Sequence, residues 1–398
     1  MKKNLLFICW DGPQVNYLEG LFLPIFVGLK RSYNIYIIQF SWASTEKVAH
    51  LSRVCESAGI TYAHFHVQRR PHPLLGSLIT LYKGTKFLQD FVRQHQINIV
   101  MPRSTFPAAM VLNVLHKHSH LKMIFDADGL PLEERVDFSG LNPRGFQYKL
   151  LKSFETKAIE RADVVITRTN ATVEFLANNM PAIKSKFFTV SNGRDINFFK
   201  DNHTRSVVRS SLGIPEEALM LVYAGSLGPQ YCVSEMMHIY QEVASQMNNV
   251  YLLILTGNTA YLDNSAFTKF IDERVLVKSV PFQEVPSYLA AADVALAIRQ
   301  PSFSMKGVAP IKIGEYLLTG LPVVASAGIG DTEAILKNKS CCFVLKNHKQ
   351  ESLQSAASWI GEVYNKSTLK EEARALGIKE FSLENSIKTY TMALRNLN

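Results

Sequence analysis

Lys312 and Glu315 stand three residues apart in the stretch from Arg299 to Asp331, RQPSFSMKGVAPIKIGEYLLTGLPVVASAGIGD. Pro310 suits the first turn of a helix, because that position needs no amide donor and the ring fixes a helical φ. Lys312 then places a cation in the first turn, where the macrodipole and the free amides favour an anion. A bound anion removes the conflict. Spaced as they are, Lys312 and Glu315 share a helix face, so one surface offers an ammonium to phosphate and a carboxylate to hydroxyl groups, a combination that fits a nucleoside diphosphate. The plainer alternative is a solvated lysine with a snorkelling stem, paired along the helix with Glu315. Thr319-Gly320 ends the helix, and Leu321 to Ala325 reads as a strand buried on both faces.

The elements that must carry this surface repeat along the chain. Leu5–Ile8, Ile35–Ile38, Ile60–Phe65, Ile97–Met101, Met123–Phe125 and Val164–Ile166 read as strands, separated by helical segments such as Lys83 to Gln94. Met220–Tyr223, Tyr251–Leu255, Val275–Val277, Val294–Ala297, Leu321–Ala325 and Cys342–Leu345 repeat the pattern. This is βα alternation twice over, in a chain of 398 residues that is too long for one core. The boundary falls in Ser191 to His203, where Gly, Asn and Asp interrupt the periodicity. We expect an N-terminal domain over 1–190, a second over 191–375, and a C-terminal helix over 376–398 that crosses back to the first.

Parallel sheets bind ligands beyond the carboxyl ends of their strands. In the second half these places hold Gly225, Ser226, Leu227 and Gly228, then Gly257 and Asn258, then Arg299. Small residues there admit a ligand close to backbone amides, although glycine in such turns is also common for structural reasons alone. None has the G-x-G-x-x-G spacing, which disfavours a nicotinamide cofactor.

Hydrophobic content is 47% and mean hydropathy +0.02, as for a packed soluble protein. No apolar run reaches the length of a membrane span, and the run that follows Lys2-Lys3 is cut at Asp11, so Leu5 to Trp10 reads as a first strand rather than a leader. Five cysteines without a C-x-x-C suit reduced thiols in a cytoplasm. His116, His118 and His120 alternate and do not converge on one point, so no metal site is expected. The net charge of +9 lies wholly in the first half: residues 1–190 hold 23 Lys and Arg against 14 Asp and Glu, while residues 191–398 hold 20 of each. A basic half calls for an anionic partner, among nucleic acid, a phosphate-bearing substrate and an acidic membrane surface, or reflects scattered solubilising lysines.

AGSLG (Ala224 to Gly228), PIKIGEYLLTGLPVV (Pro310 to Val324), GDTEAI (Gly330 to Ile335) and the closing FSLENSIKTYTMALRNL together resemble the retaining glycosyltransferases of the family-4 type. FDADGLPLEERVDF, ADVVITRT and FFTVSNGRDINFF resemble the matching landmarks of the first half. The resemblance implies an α/β protein with two facing Rossmann-like domains, the GT-B architecture, parallel sheets and a cleft between them. It implies transfer of a sugar from a nucleotide-diphosphate donor with retention, in surface polysaccharide or lipopolysaccharide assembly, and no cofactor or metal beyond the nucleotide sugar itself.

By the same resemblance, Glu315 matches the second glutamate of the family's E-x7-E signature and would hydrogen-bond the donor ribose. The first glutamate falls at Gly307 and is absent, so its role would pass to the loop around Lys306 to Ala309. The usual Arg and Lys after the first strand of the second domain are also missing, with Ser226 at the Arg position. Charge need assigns diphosphate neutralisation to Arg299 and Lys312 instead. The acceptor would lie on the first domain, against the loops Asp11 to Asn16 and Asp126 to Glu134. Asp126, Asp128 and Glu133 are candidates for acceptor activation, or for turn and capping roles. A glycan or lipid-linked acceptor, with peripheral contact of the basic domain at the inner face of a membrane, completes the expectation. A nucleotide-sugar epimerase shares the architecture and remains an alternative. A nucleic-acid-binding protein is another, although no basic helix interleaved with aromatics supports it.

Overall fold

The computed structural model describes residues 2–13, 15–70, 73–200, 204–263, 267, 270 and 272–397. Gln14 of the first acceptor loop and Asp201 to His203 of the expected boundary lie outside the described residues. The chain divides into two compact units, Met1–Val190 with Ser386–Asn398, and Ser191–Asn385. The return to the first unit thus begins at Ser386, ten residues later than the sequence reading placed it. The intervening stretch is held by the second unit: Arg194 N donates to Phe381 O at 2.8 Å and Leu383 N to Arg194 O at 2.8 Å.

The first unit is built on β1 (Lys3–Asp11), β2 (Tyr33–Ser41), β3 (Thr61–His66), β4 (Ile99–Pro102), β5 (Lys122–Asp126), β6 (Val164–Thr167) and β7 (Phe187–Thr189). They form one sheet in the order β3-β2-β1-β4-β5-β6-β7, parallel throughout. Near-continuous apolar runs such as Leu5–Ile8, all 0% exposed, are what a strand covered on both faces requires. β7 is missing from the sequence reading because three residues leave no periodicity to detect. The helix expected over Lys83 to Gln94 starts earlier and spans Pro73–Gln94. Gly76 and Gly84 mask its beginning. Both are packing positions, since an added Cβ would come within 2.2 Å of the Gln68 carbonyl and 2.6 Å of the Phe40 ring.

The second unit carries β8 (Leu219–Ala224), β9 (Val250–Leu255), β10 (Val275–Lys278), β11 (Val294–Ala297), β12 (Val323–Ser326) and β13 (Cys342–Leu345). Their order is β10-β9-β8-β11-β12-β13, again all parallel. β12 begins at Val323 because Leu321 N still closes the preceding helix on Tyr316 O at 2.9 Å.

In each sheet the strand order reverses once, at β1/β4 and at β8/β11, and a crevice opens there beyond the carboxyl ends. In the second unit that crevice is bordered by the helix Ile311–Leu318. The helix is seated backbone to backbone on the helix Ser367–Phe381: a Cβ on Gly377 would meet Leu318 N at 2.7 Å, and one on Gly314 would meet Phe381 Cβ at 2.7 Å. Arg374 closes its C-terminal end by donating to the carbonyl of Leu318, and also to those of Ile196 and Phe199 at 3.0 Å each. No helix among the described residues is long and apolar enough to cross a membrane.

Candidate functional site

At the switch point of the second unit, β8 ends in Ala224 and the chain turns at Gly225 with φ +142°. A side chain is excluded twice over, by that dihedral and by Lys312, whose Nζ lies 2.8 Å from the place a Cβ would take. Pro310 is the residue that precedes the helix Ile311–Leu318, one position earlier than the sequence suggests, and Lys312 lies in the first turn. Lys312 is not the solvated lysine of the plainer alternative: it is 8% exposed. Its ammonium donates to Tyr223 Oη at 2.7 Å and sits 3.8 Å from the Tyr223 ring centre and 4.7 Å from that of Tyr231. Tyr223 Oη donates in turn to the Ser226 carbonyl.

Arg299, just beyond β11, stacks on the other aromatic wall with its guanidinium carbon 4.6 Å from the Tyr231 ring centre. Its amide donates to Ser326 Oγ at 3.0 Å, while its Nε is buried with no partner among the described residues. Burial, then the neighbouring Arg299 charge, hold the Lys312 ammonium well below the usual lysine range, against a weaker pull from Glu315. A lysine and an arginine therefore share an aromatic pocket with one nearby carboxylate, an arrangement in which an oxyanion would favour the charged form of Lys312.

Glu315 does not pair with Lys312. Its Oε1 accepts from Arg194 Nε at 2.8 Å, and both side chains are nearly buried, at 11% and 12% exposure. Gly307 ends the short turn Ser304–Gly307 and is buried. Backbone bonds to Met305 O from Val308 N at 3.2 Å and Gly330 N at 2.8 Å fix that loop. Tyr316 Oη accepts from Ala224 N at 2.8 Å and so ties the helix to the end of β8. Arg194, Tyr223, Tyr231 and Tyr316 escape the sequence reading as site residues. Tyr223 and Tyr316 pass for core, and Arg194 lies in the boundary segment.

The first unit gathers charge at its own switch point. Asp11 ends β1, Arg103 follows β4, Asp126 ends β5 and Arg168 follows β6. Arg168 donates to Asp126 Oδ2 at 2.7 Å, with the two side chains 3% and 0% exposed. Arg103 pairs with Asp128 at 2.5 Å and approaches Asp11 at 3.9 Å. Burial pushes the Asp126 carboxyl up, against the pull of Arg168. Ser104 and Asp128 hold positive φ values of 66° and 53°, which concentrates backbone strain at this edge. Asp126 and Asp128 are thus joined, Asp128 N donating to Asp126 Oδ1 at 3.1 Å. Glu133 belongs to a different cluster, accepting from Lys152 Nζ at 2.8 Å and Tyr148 Oη at 3.0 Å. The three candidates therefore do not form one constellation, and each is engaged by a cation or a donor. All five cysteines are buried and unbridged.

Similarity to known proteins bears on the same segments. Residues 204–380 match the family described as Glycosyl transferases group 1. That match covers most of the second unit, Ser191–Asn385. Lys312, Glu315, Gly225 and Arg299 all lie inside it. The chain is 24% identical over 230 residues to a putative teichuronic acid biosynthesis glycosyltransferase, TuaH, of Bacillus subtilis, covering 56% of this chain and 54% of that protein. It is 24% identical over 173 residues, 42% of this chain and 46% of the relative, to the UDP-N-acetylglucosamine–N-acetylmuramyl-(pentapeptide) pyrophosphoryl-undecaprenol N-acetylglucosamine transferase of Caldicellulosiruptor saccharolyticus. The chain thus spans about half the length of these curated relatives. The crystal structure of HepE from Anabaena, in complex with UDP and glucose, superposes with a TM-score of 0.72 at 15% identity over 99% of both chains. The two-sheet α/β fold is that of GT-B glycosyltransferases.

Proposed function

We propose that this protein is a glycosyltransferase that moves a sugar from a nucleoside-diphosphate donor to an acceptor, with retention at the anomeric carbon. The observation that carries the reading is the Lys312–Arg299 pair, held between Tyr223 and Tyr231 beyond β8 and β11 and short of an anion. A sugar leaves its diphosphate as negative charge grows on the bridging oxygen. Cations fixed in a dry pocket stabilise that charge more than they stabilise the intact donor. Gly225 lets the diphosphate approach the backbone, and Glu315 accepts from ribose hydroxyls through Oε2 while Arg194 holds Oε1.

The acceptor belongs to the first unit, whose switch-point cluster of Asp11, Arg103, Asp126, Asp128 and Arg168 supplies donors and acceptors for a sugar. A lipid-linked acceptor at the inner face of a membrane suits the basic first half. It also suits the helix Pro73–Gln94, which exposes Leu78, Ile79 and Tyr82 beside Lys83 and Lys86. The relatives named for teichuronic acid biosynthesis and for transfer to a pyrophosphoryl-undecaprenol acceptor support cell-surface glycan assembly as the setting.

Calorimetric titration with UDP, GDP, ADP and CMP, repeated on Lys312→Ala, tests the reading. We expect saturable binding of one diphosphate, UDP first because HepE holds it, and its loss in the variant. Binding of none of the four, or binding indifferent to Lys312, would overturn it.

A further inference from the structure

Cys232, Glu235 and His348 meet at the edge of the Lys312–Arg299 pocket, although Cys232 and His348 are 116 residues apart in sequence. Cys232 immediately precedes the helix Val233–Gln246 and Glu235 lies in its first turn, so the spacing of three sets both on one side of the helix. His348 arrives from the loop after β13. Its Nδ1 is 3.7 Å from Cys232 Sγ and 3.6 Å from Glu235 Oε1, and the three donor atoms lie within 4.8 Å of one another. A tetrahedral zinc with bonds of about 2.0–2.3 Å needs donor-to-donor edges of roughly 3.4–3.7 Å. The two edges from Nδ1, 3.7 and 3.6 Å, have that length.

The outer shell is also in place. His348 Nε2 lies 3.0 Å from Ser326 Oγ. That oxygen already accepts from Arg299 N and keeps a second lone pair for an Nε2–H, which leaves the Nδ1 lone pair pointing at the cluster. The amide oxygen of Gln300 also faces the cluster, accepting from Cys232 Sγ at 3.7 Å. Thiolate, imidazole and carboxylate together select zinc or cobalt over magnesium or calcium, and a divalent ion neutralises the two anionic ligands.

We infer that Cys232, Glu235 and His348 form a binding site for a divalent transition metal of the zinc type. The site does not depend on the donor reading, because its ligands are none of the residues assigned to the nucleotide. The three residues follow no spacing motif, since the third comes from a distant loop.

The full-length protein, stripped with a chelator and dialysed, is titrated with Co(II) and followed by absorption. The expected result is one cobalt per chain, with thiolate-to-cobalt charge transfer in the near ultraviolet, tetrahedral bands in the visible, and loss of both on addition of Zn(II). Cys232→Ser, with its fold checked by circular dichroism, removes the charge-transfer band. Ser326→Ala keeps the ligands and weakens cobalt affinity by about 10–100-fold through the released imidazole. The second variant decides the matter if the first does not fold. Wild-type protein that binds no stoichiometric cobalt, a charge-transfer band that survives in folded Cys232→Ser, or an unchanged affinity in Ser326→Ala would overturn the site. In the first case the cluster is a thiol, imidazole and carboxylate hydrogen-bonded to one another.

Discussion

Arg194 Nε donates to Glu315 Oε1 at 2.8 Å across 121 residues of sequence, tying the first loop of the second unit to the middle of the helix that bears Lys312. One carboxylate oxygen is thereby fixed by the guanidinium. If Glu315 grips ribose, Arg194 is the residue that aims it. Glu315→Ala and Arg194→Met should each weaken nucleoside-diphosphate binding by about 1.5–3 kcal/mol, the range for hydrogen bonds to charged groups. The double variant should lose clearly less than the sum, because the two act as one unit. Additive losses in a calorimetric cycle would show that Arg194 does not act through Glu315.

Lys312 makes the pocket sensitive to pH. Its native value is held below the ordinary lysine value of 10.5, by burial first and Arg299 second. The unfolded chain therefore binds more protons than the native one across that interval, and stability should rise with pH from the depressed native value up to about 10.5. Lys312→Met removes this rise. A bound diphosphate reverses the shift, so binding at a pH between the depressed native value and 10.5 should take up protons. Its calorimetric enthalpy should then vary with the ionisation enthalpy of the buffer in the wild type and not in Lys312→Met. A buffer-independent enthalpy in the wild type would mean that the lysine is already charged, or is not at the ligand.

Much of this was legible in the sequence. The βα alternation located twelve of the thirteen strands among the described residues because buried parallel strands are written as unbroken apolar runs, while three-residue β7 has no run to read. Lys312 and Glu315 announced themselves through a helix-start conflict and a spacing. Their partners did not. Tyr223 is indistinguishable from core in LMLVYA, and Tyr231 sits in a loop. Arg194 reaches Glu315 only through tertiary folding, as His348 reaches Cys232. Pair distances set by topology leave no local trace, whereas propensity and periodicity do. For the same reason Asp126, Asp128 and Glu133 looked alike in sequence and fall into two separate clusters once folded.

Gly225 offers a test of how tightly the pocket is drawn. Alanine there is strained by φ +142° and would bring its Cβ within 2.8 Å of Lys312 Nζ. The ammonium or the turn itself must shift. Gly225→Ala should cost about 1–3 kcal/mol of stability, as overpacking and backbone strain do, and nucleotide affinity should fall together with it. Crystals of the variant with Lys312 unmoved and binding intact would show that the close approach is incidental.

The Asp126–Arg168 pair separates a structural from a chemical role for the first unit's carboxylates. With side chains 0% and 3% exposed and 2.7 Å apart, each is the other's main source of charge compensation. Asp126→Asn leaves a buried guanidinium underpaired, so the unfolding free energy should fall by up to about 3–5 kcal/mol. The double variant Asp126→Leu with Arg168→Met removes both charges and should recover much of that loss. Sugar transfer at saturating donor should follow the folded fraction in both. Were Asp126 instead a base for the acceptor hydroxyl, Asp126→Asn would stay folded and lose turnover by about 10²–10⁴-fold. The double variant would then be stable and inactive. Thermal unfolding and turnover measured on the same three proteins distinguish the two, because only a structural pair lets stability and activity return together.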